Sequence, residues 1–179
     1  MKTDISVVVP FYNEKGNITP LVEQISKALT GTENSFEIIL IDDASTDDSF
    51  DEAVQCVKEH KELRVLQLNE NSGQSEAIIT GIRHANGRLI TTLDADLQND
   101  PADIPKLLEN LGEFDMICGY RAKRNDNWWR RFCSKIANWF RRMICPDPVR
   151  DTGCSLKLFK KRFTIMHLFF VEGIGSWLQ

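Results

Sequence analysis

Two spacings of apolar residues alternate along this chain. Short β-branched runs at Ile5-Ser6-Val7-Val8-Val9, Phe36 to Ile41, Leu63 to Leu68 and Leu89 to Leu93 predict buried strands, the first ended by Pro10. After the first run, Ile18, Leu21, Val22, Ile25 and Leu29 recur every three or four residues, which predicts an amphipathic helix. Helices are also expected over about residues 48–60 and about 74–86. The segment Asp42-Asp43-Ala44-Ser45-Thr46-Asp47 can cap the first of these, and Asn86-Gly87 turns the second into the fourth strand. Four strand–helix alternations predict an α/β fold with a mostly parallel sheet flanked by helices.

Such sheets bind ligands at the carboxyl ends of their strands, and the polar loops fall there. The fourth strand runs into Asp94-Ala95-Asp96-Leu97-Gln98. In an extended chain alternate side chains share a side, so Asp94, Asp96 and Gln98 are expected to converge on one hard cation. Oxygen-only donors suit Mg²⁺ or Mn²⁺ and argue against zinc. Alone, so short a pattern reads more readily as an acidic, solvated strand-to-loop turn.

Composition narrows the choices. A chain of 179 residues, 42% hydrophobic, suffices for one well-buried domain. No run of about 18 apolar residues occurs, and Met1-Lys2-Thr3-Asp4 leads into a strand without a signal-peptide pattern, so neither a membrane span nor secretion is expected. Cys56, Cys118, Cys133, Cys145 and Cys154 are widely spaced and never form a Cys-x-x-Cys pair, which argues for free thiols in a reducing compartment. His60, His84 and His167 share no spacing and read as surface or packing residues.

Charge is divided unevenly. Nine Lys+Arg against 22 Asp+Glu leave residues 1–118 at −13, whereas 13 against 4 leave residues 119–179 at +9. The acidic part suits a metal or polar ligand; the basic part suits an anionic surface. In the basic part Trp128, Phe132, Ile136, Trp139, Phe140 and Met143 fall on one helical stripe flanked by Arg130, Arg131, Lys135, Arg141 and Arg142. Aromatic residues interleaved with Arg and Lys point to an anionic bilayer surface rather than nucleic acid, the alternative being a helix packed on the domain.

Four strand-end motifs occur in order: Pro10-Phe11-Tyr12-Asn13-Glu14, Asp42 to Asp47, Asn71-Ser72-Gly73-Gln74, and Asp94 to Gln98. Together they resemble the family 2 glycosyltransferases of the GT-A (Rossmann-like) fold. Leu93 to Pro101, Gly119-Tyr120-Arg121 and Asp151-Thr152-Gly153-Cys154-Ser155-Leu156-Lys157 narrow the likeness to enzymes that glycosylate a polyprenyl phosphate. The resemblance implies an inverting, metal-dependent transfer from a nucleoside-diphosphate sugar to a polyprenyl phosphate lipid. It places the protein peripherally on the cytoplasmic side of the cell membrane. Pro10, Tyr12, Glu14, Asp42, Asp43, Gly73, Gln74 and Asp94 would bind the nucleotide; Asp94, Asp96 and Gln98 would hold Mg²⁺ or Mn²⁺. Asp96, Arg121 and Asp151 would be catalytic, Arg121 clamping a phosphate and Asp151 orienting the acceptor. Residues 1–125 would form the nucleotide-sugar-binding core, and 126–179 the basic, acceptor-side segment of the same domain.

The family usually continues through a Gly-x-His-Arg-Phe-Leu-Pro-like segment. Here the comparable stretch reads Glu172-Gly173-Ile174-Gly175-Ser176-Trp177-Leu178-Gln179 without the His-Arg pair, so a shortened chain is expected, with ligand binding more secure than turnover. The alternative function is a non-catalytic or partner-dependent nucleotide-sugar binder. A receiver-like signalling domain would also pair acids after one strand, but it leaves the second cluster at Asp94 and Asp96 unexplained.

Overall fold

The computed structural model describes residues 3–119 and 154–162. Its element order is β1 (Ile5–Phe11), α1 (Ile18–Thr30), β2 (Phe36–Asp42), α2 (Ser49–Cys56), β3 (Leu63–Gln67), α3 (Gln74–His84), β4 (Leu89–Thr92), a 3-10 turn (Pro101–Asp103), α4 (Ile104–Leu111), β5 (Met116–Cys118) and β6 (Lys157–Lys160). The six strands form one sheet in the order β3-β2-β1-β4-β6-β5. The first four are mutually parallel. β6 runs antiparallel to both β4 and β5.

Alternation along β1 and β2 divides the core between the two faces. Val7, Val9, Ile38 and Leu40 pack with Ile18, Leu21, Val22, Ile25 and Leu29 of α1, with Ala53 and Cys56 of α2, and with Ile104 and Leu111 of α4. Val8, Ile39, Ile41 and Ile90 face the other way, onto Ala77 and Ile82 of α3. α3 sits close to the sheet because Gly81 lacks a side chain; a Cβ there would fall 2.5 Å from Val8 Cγ1 and 2.6 Å from Ile41 Cδ1. The helix thereby packs directly on β1 and β2.

The first strand continues through Pro10 to Phe11, beyond its expected end. A residue's N–H and C=O point to the same neighbouring strand. Val8 faces β4, accepting from the N–H of Leu93, while Phe11 faces β2, accepting from the N–H of Asp43. Pro10 therefore faces the β4 side, where pairing has already ended at Val8, and its missing N–H costs no ladder bond. Helix α2 is shorter than expected, ending at Cys56, where Lys58 and Glu59 donate their N–H groups to the carbonyls of Gln55 and Cys56 at 3.1 Å, tighter three-residue bonds that close the last turn.

Strand β6 was not expected. It comes from the basic C-terminal segment, yet it is an interior strand with Leu158 fully buried. Among the described residues no helix is long and apolar enough to cross a membrane. The expected stripe from Trp128 to Met143 lies outside the described residues, as do Arg121 and Asp151.

Candidate functional site

The loops after β1, β2 and β4 each contain one non-glycine residue in the left-handed region: Asn13 at φ 55°, Ala44 at φ 58° and Leu97 at φ 58°. Gly73, after β3, has φ 87°. Backbone of this kind is costly and concentrates at functional sites, and here it marks the carboxyl end of every parallel strand. The four loops surround a cleft of about 300 Å³ lined by Pro10, Phe11, Tyr12, Glu14, Asp43, Gln74, Asp94, Ala95 and Asp96.

Hydrogen bonds between loops fix their shape. Asn13 donates its backbone N–H to Ser45 Oγ at 3.0 Å and its amide to Thr46 Oγ1 at 3.1 Å, while its Oδ1 accepts the Thr46 N–H at 2.8 Å. That exchange locks the β1–α1 loop to the β2–α2 loop. Glu52 of α2 steadies the same region by accepting the N–H of Gly16 at 2.6 Å and the N–H of Thr19 at 2.9 Å. Burial pulls the Glu52 carboxyl upward, but these bonds outweigh it and hold the group below its ordinary value. Asn17, at the helix start, makes no side-chain cap of its own.

The two aspartates after β2 have different surroundings. Asp42 was expected against the nucleotide but is fully buried; it accepts the Ser45 N–H at 3.0 Å and the Gln67 amide at 2.9 Å, and it does not line the cleft. Asp43 does line it, while accepting the N–H groups of Ser72 at 2.7 Å and Gly73 at 2.9 Å. Gly73 supplies the positive φ that this turn needs, with nothing within 4 Å of where a Cβ would stand. Tyr12 is 43% exposed and lines the cleft together with Glu14, whose Oε2 accepts the Asn17 amide.

The metal-side residues depart from the expected alternation. β4 ends at Thr92, and the chain bends at residues 95–97, so the geometry is no longer that of a strand. Asp94 and Asp96 both line the cleft. Gln98 does not: after the left-handed Leu97 its backbone N–H turns back to Asp96 Oδ1 at 3.1 Å, and its side chain is exposed. The expected three-residue ligand set thus reduces to two carboxylates at the cleft. Among the described residues no group of three or more His, Cys, Asp or Glu is placed to hold a metal. A pair of carboxylates fits a hard cation whose remaining positions are filled by ligand phosphates and water, as Mg²⁺ prefers. Each of the two has one oxygen engaged by the protein, by the Gln74 amide and the Gln98 N–H, and among the described residues no hydrogen bond engages the other.

The turn before β6 buttresses this loop. Asn99, buried, donates to Ser155 Oγ at 2.7 Å, and Thr92 Oγ1 donates to the Ser155 carbonyl at 2.7 Å. Neither Asn13, Asn99 nor Ser155 had a role assigned from sequence. Asn13 carried one usable signal, the tolerance of Asn for left-handed backbone. A larger cavity of about 680 Å³ lies at the other end of β4, among Arg88, Leu108, Leu111, Lys160 and Arg162. It contains none of the strand-end acids, so the smaller cleft is the better candidate despite its size.

Residues 6–167 match the sequence model of the family Glycosyl transferase family 2. A dodecaprenyl-phosphate galacturonate synthase from Rhizobium johnstonii is 40% identical over 161 residues, 88% of this chain and 48% of that protein. The chain thus spans about half the length of this curated relative. Among solved structures, glucosyl-3-phosphoglycerate synthase from Mycobacterium tuberculosis in complex with UDP superposes with a TM-score of 0.71 at 22% identity, over 89% of this chain and 57% of that one. A mannosyltransferase from Pyrobaculum calidifontis in complex with GDP-Man and Mn²⁺ superposes with a TM-score of 0.64 at 22% identity, over 89% and 45% respectively. The fold that they share with this chain is GT-A.

Proposed function

This chain belongs to glycosyl transferase family 2, and we propose that its cleft transfers a sugar from a nucleoside diphosphate to a polyprenyl phosphate at the cytoplasmic face of a membrane. The observation that carries this reading is the convergence of Tyr12, Glu14, Asp43, Asp94 and Asp96 from three strand ends on one cleft. Support for a lipid acceptor comes from the 40% identity to a dodecaprenyl-phosphate enzyme and from the +9 charge of residues 119–179.

In this account Tyr12, Glu14 and Asp43 take the nucleoside, and Asp94 and Asp96 face the diphosphate. Mg²⁺ or Mn²⁺ held by those two aspartates would neutralise charge on the departing diphosphate. An acceptor phosphate oxygen attacks the anomeric carbon as the bond to the diphosphate oxygen breaks, inverting the configuration. A phosphate monoester is mostly dianionic at neutral pH, with a second pKa of about 6, so it needs little deprotonation. Positioning and charge neutralisation therefore matter more than a strong base. Arg121 is assigned to clamping a phosphate and Asp151 to orienting the acceptor.

Titration with UDP and GDP, each with Mn²⁺ and with EDTA, tests the pocket. Asp43→Ala should lower affinity for the matching nucleoside monophosphate by about tenfold, since a hydrogen bond to a charged group is worth about 1.5 kcal/mol or more. The loss on the diphosphate should be at least as large. A variant that weakens only the diphosphate would place Asp43 away from the nucleoside.

Membrane attachment gives a separate expectation. Replacing Arg130, Arg131, Arg141 and Arg142 by Gln should lower binding to anionic vesicles on the order of a thousandfold before salt screening, each basic residue being worth about 1 kcal/mol at such a surface. Added salt should weaken wild-type binding likewise, by shortening the Debye length below about 8 Å. Salt-insensitive co-sedimentation, or none, would mean that this segment packs on the domain.

A further inference from the structure

Asp43 and Asp94 leave the sheet from β2 and β4, with β1 between them. Two consecutive residues bridge that gap. The N–H of Gly73 is held by Asp43 Oδ2 at 2.9 Å, and the side-chain amide of the next residue, Gln74, donates to Asp94 Oδ1 at 2.6 Å. The bridge is stiff on both sides. Ser72 adds a second bond to Asp43 at 2.7 Å, and the Gly73 carbonyl accepts the Ala77 N–H at 3.2 Å, making it part of the first turn of α3. One turn further on, Gly81 seats α3 directly against Val8 and Ile41.

Building on the site assignment above, we propose that Gln74 is a positioning residue for Asp94 rather than chiefly a nucleotide contact, and that Asp43 anchors it. The short amide-to-carboxylate bond fixes the rotation of the Asp94 carboxyl and points its other oxygen to the cleft. Without that bond Asp94 samples several orientations, and a cation loses a preset ligand. Partners that orient a metal-binding side chain are typically worth tenfold to a hundredfold in metal affinity.

The test uses Gln74→Met, which keeps the length of the side chain and removes the donor, together with Gln74→Ala. Gln74 is exposed, so neither change should move the unfolding midpoint appreciably. Diphosphate affinity is measured by calorimetry for UDP and GDP in Mn²⁺ and in EDTA, and Mn²⁺ binding by electron paramagnetic resonance. Both variants should lose about tenfold in Mn²⁺-assisted affinity and in Mn²⁺ binding, while affinity in EDTA stays within about twofold of wild type. Wild-type Mn²⁺ binding in Gln74→Met would overturn the proposal, and so would an equal loss in EDTA, which would make Gln74 a direct nucleotide contact. If wild type gains no affinity from Mn²⁺, the assignment of Asp94 and Asp96 fails, and this proposal fails with it.

Discussion

Asp96→Asn should abolish most of the gain in nucleoside-diphosphate affinity that Mn²⁺ provides. The aspartate lines the cleft, and its Oδ1 already accepts the Gln98 N–H, so the remaining oxygen is the one available to a cation. Asparagine keeps the size but removes the charge and puts an NH₂ where one of the oxygens stood. A carboxylate bound to a divalent cation is worth several kcal/mol; at roughly 3 kcal/mol the loss is about 150-fold. Asp4→Asn is the control. Asp4 pairs with Arg88 and Ser35 beside the first residue of β1, at the amino end of the sheet, so its removal should leave binding unchanged. Equal affinity of wild type and Asp96→Asn in saturating Mn²⁺ would contradict the assignment.

A large loss of stability is expected at Glu37, remote from the cleft. Its buried carboxylate accepts the Ser6 hydroxyl at 2.6 Å, the Asn86 N–H at 2.6 Å, the Asn86 amide at 3.1 Å and Arg64 Nη1 at 3.1 Å. Ser6 Oγ in turn accepts the Gly87 N–H at 2.8 Å, so one side chain ties β1, β2, β3 and the turn into β4. Glu37→Ala leaves several of these donors without a partner and should cost about 3 kcal/mol in urea unfolding. Burial pushes the Glu37 carboxyl up, but the bonds from Ser6, Asn86 and Arg64 outweigh it and hold it below the ordinary 4.5. With the folded pKa depressed, the stabilisation is complete above 4.5 and is lost as pH falls through the lower folded value. The stability gap between wild type and Glu37→Gln, which does not titrate, should therefore narrow on acidification from about pH 7 to about pH 3. A gap independent of pH would show that the charge contributes nothing.

The sequence was most legible where burial imposes a period. All five positions expected to form the apolar face of α1 are fully buried, and β1 to β4 form the expected parallel array. Its limits have physical causes. Period-2 reasoning holds only while the chain is extended, so it failed for Gln98 once Leu97 entered the left-handed region. Residue type alone could not separate Asp42 from Asp43, because one backbone step decides which carboxylate is buried under Ser45 and Gln67 and which lines the cleft. β6 was hidden because its four residues begin and end with lysine, and only its place between β4 and β5 makes Leu158 a core residue. Asn13, Asn99 and Ser155 act across long sequence separations, which no local pattern records.

The most direct test of the central claim is transfer of radiolabelled sugar from UDP- and GDP-sugars, with and without a polyprenyl phosphate, read as label extracted into organic solvent. The account predicts lipid-linked sugar phosphate only when acceptor and Mg²⁺ or Mn²⁺ are both present, and almost none from Asp96→Asn. Nucleotide-sugar binding with no lipid-linked product under any of these conditions would contradict it and favour a binding domain that needs a partner.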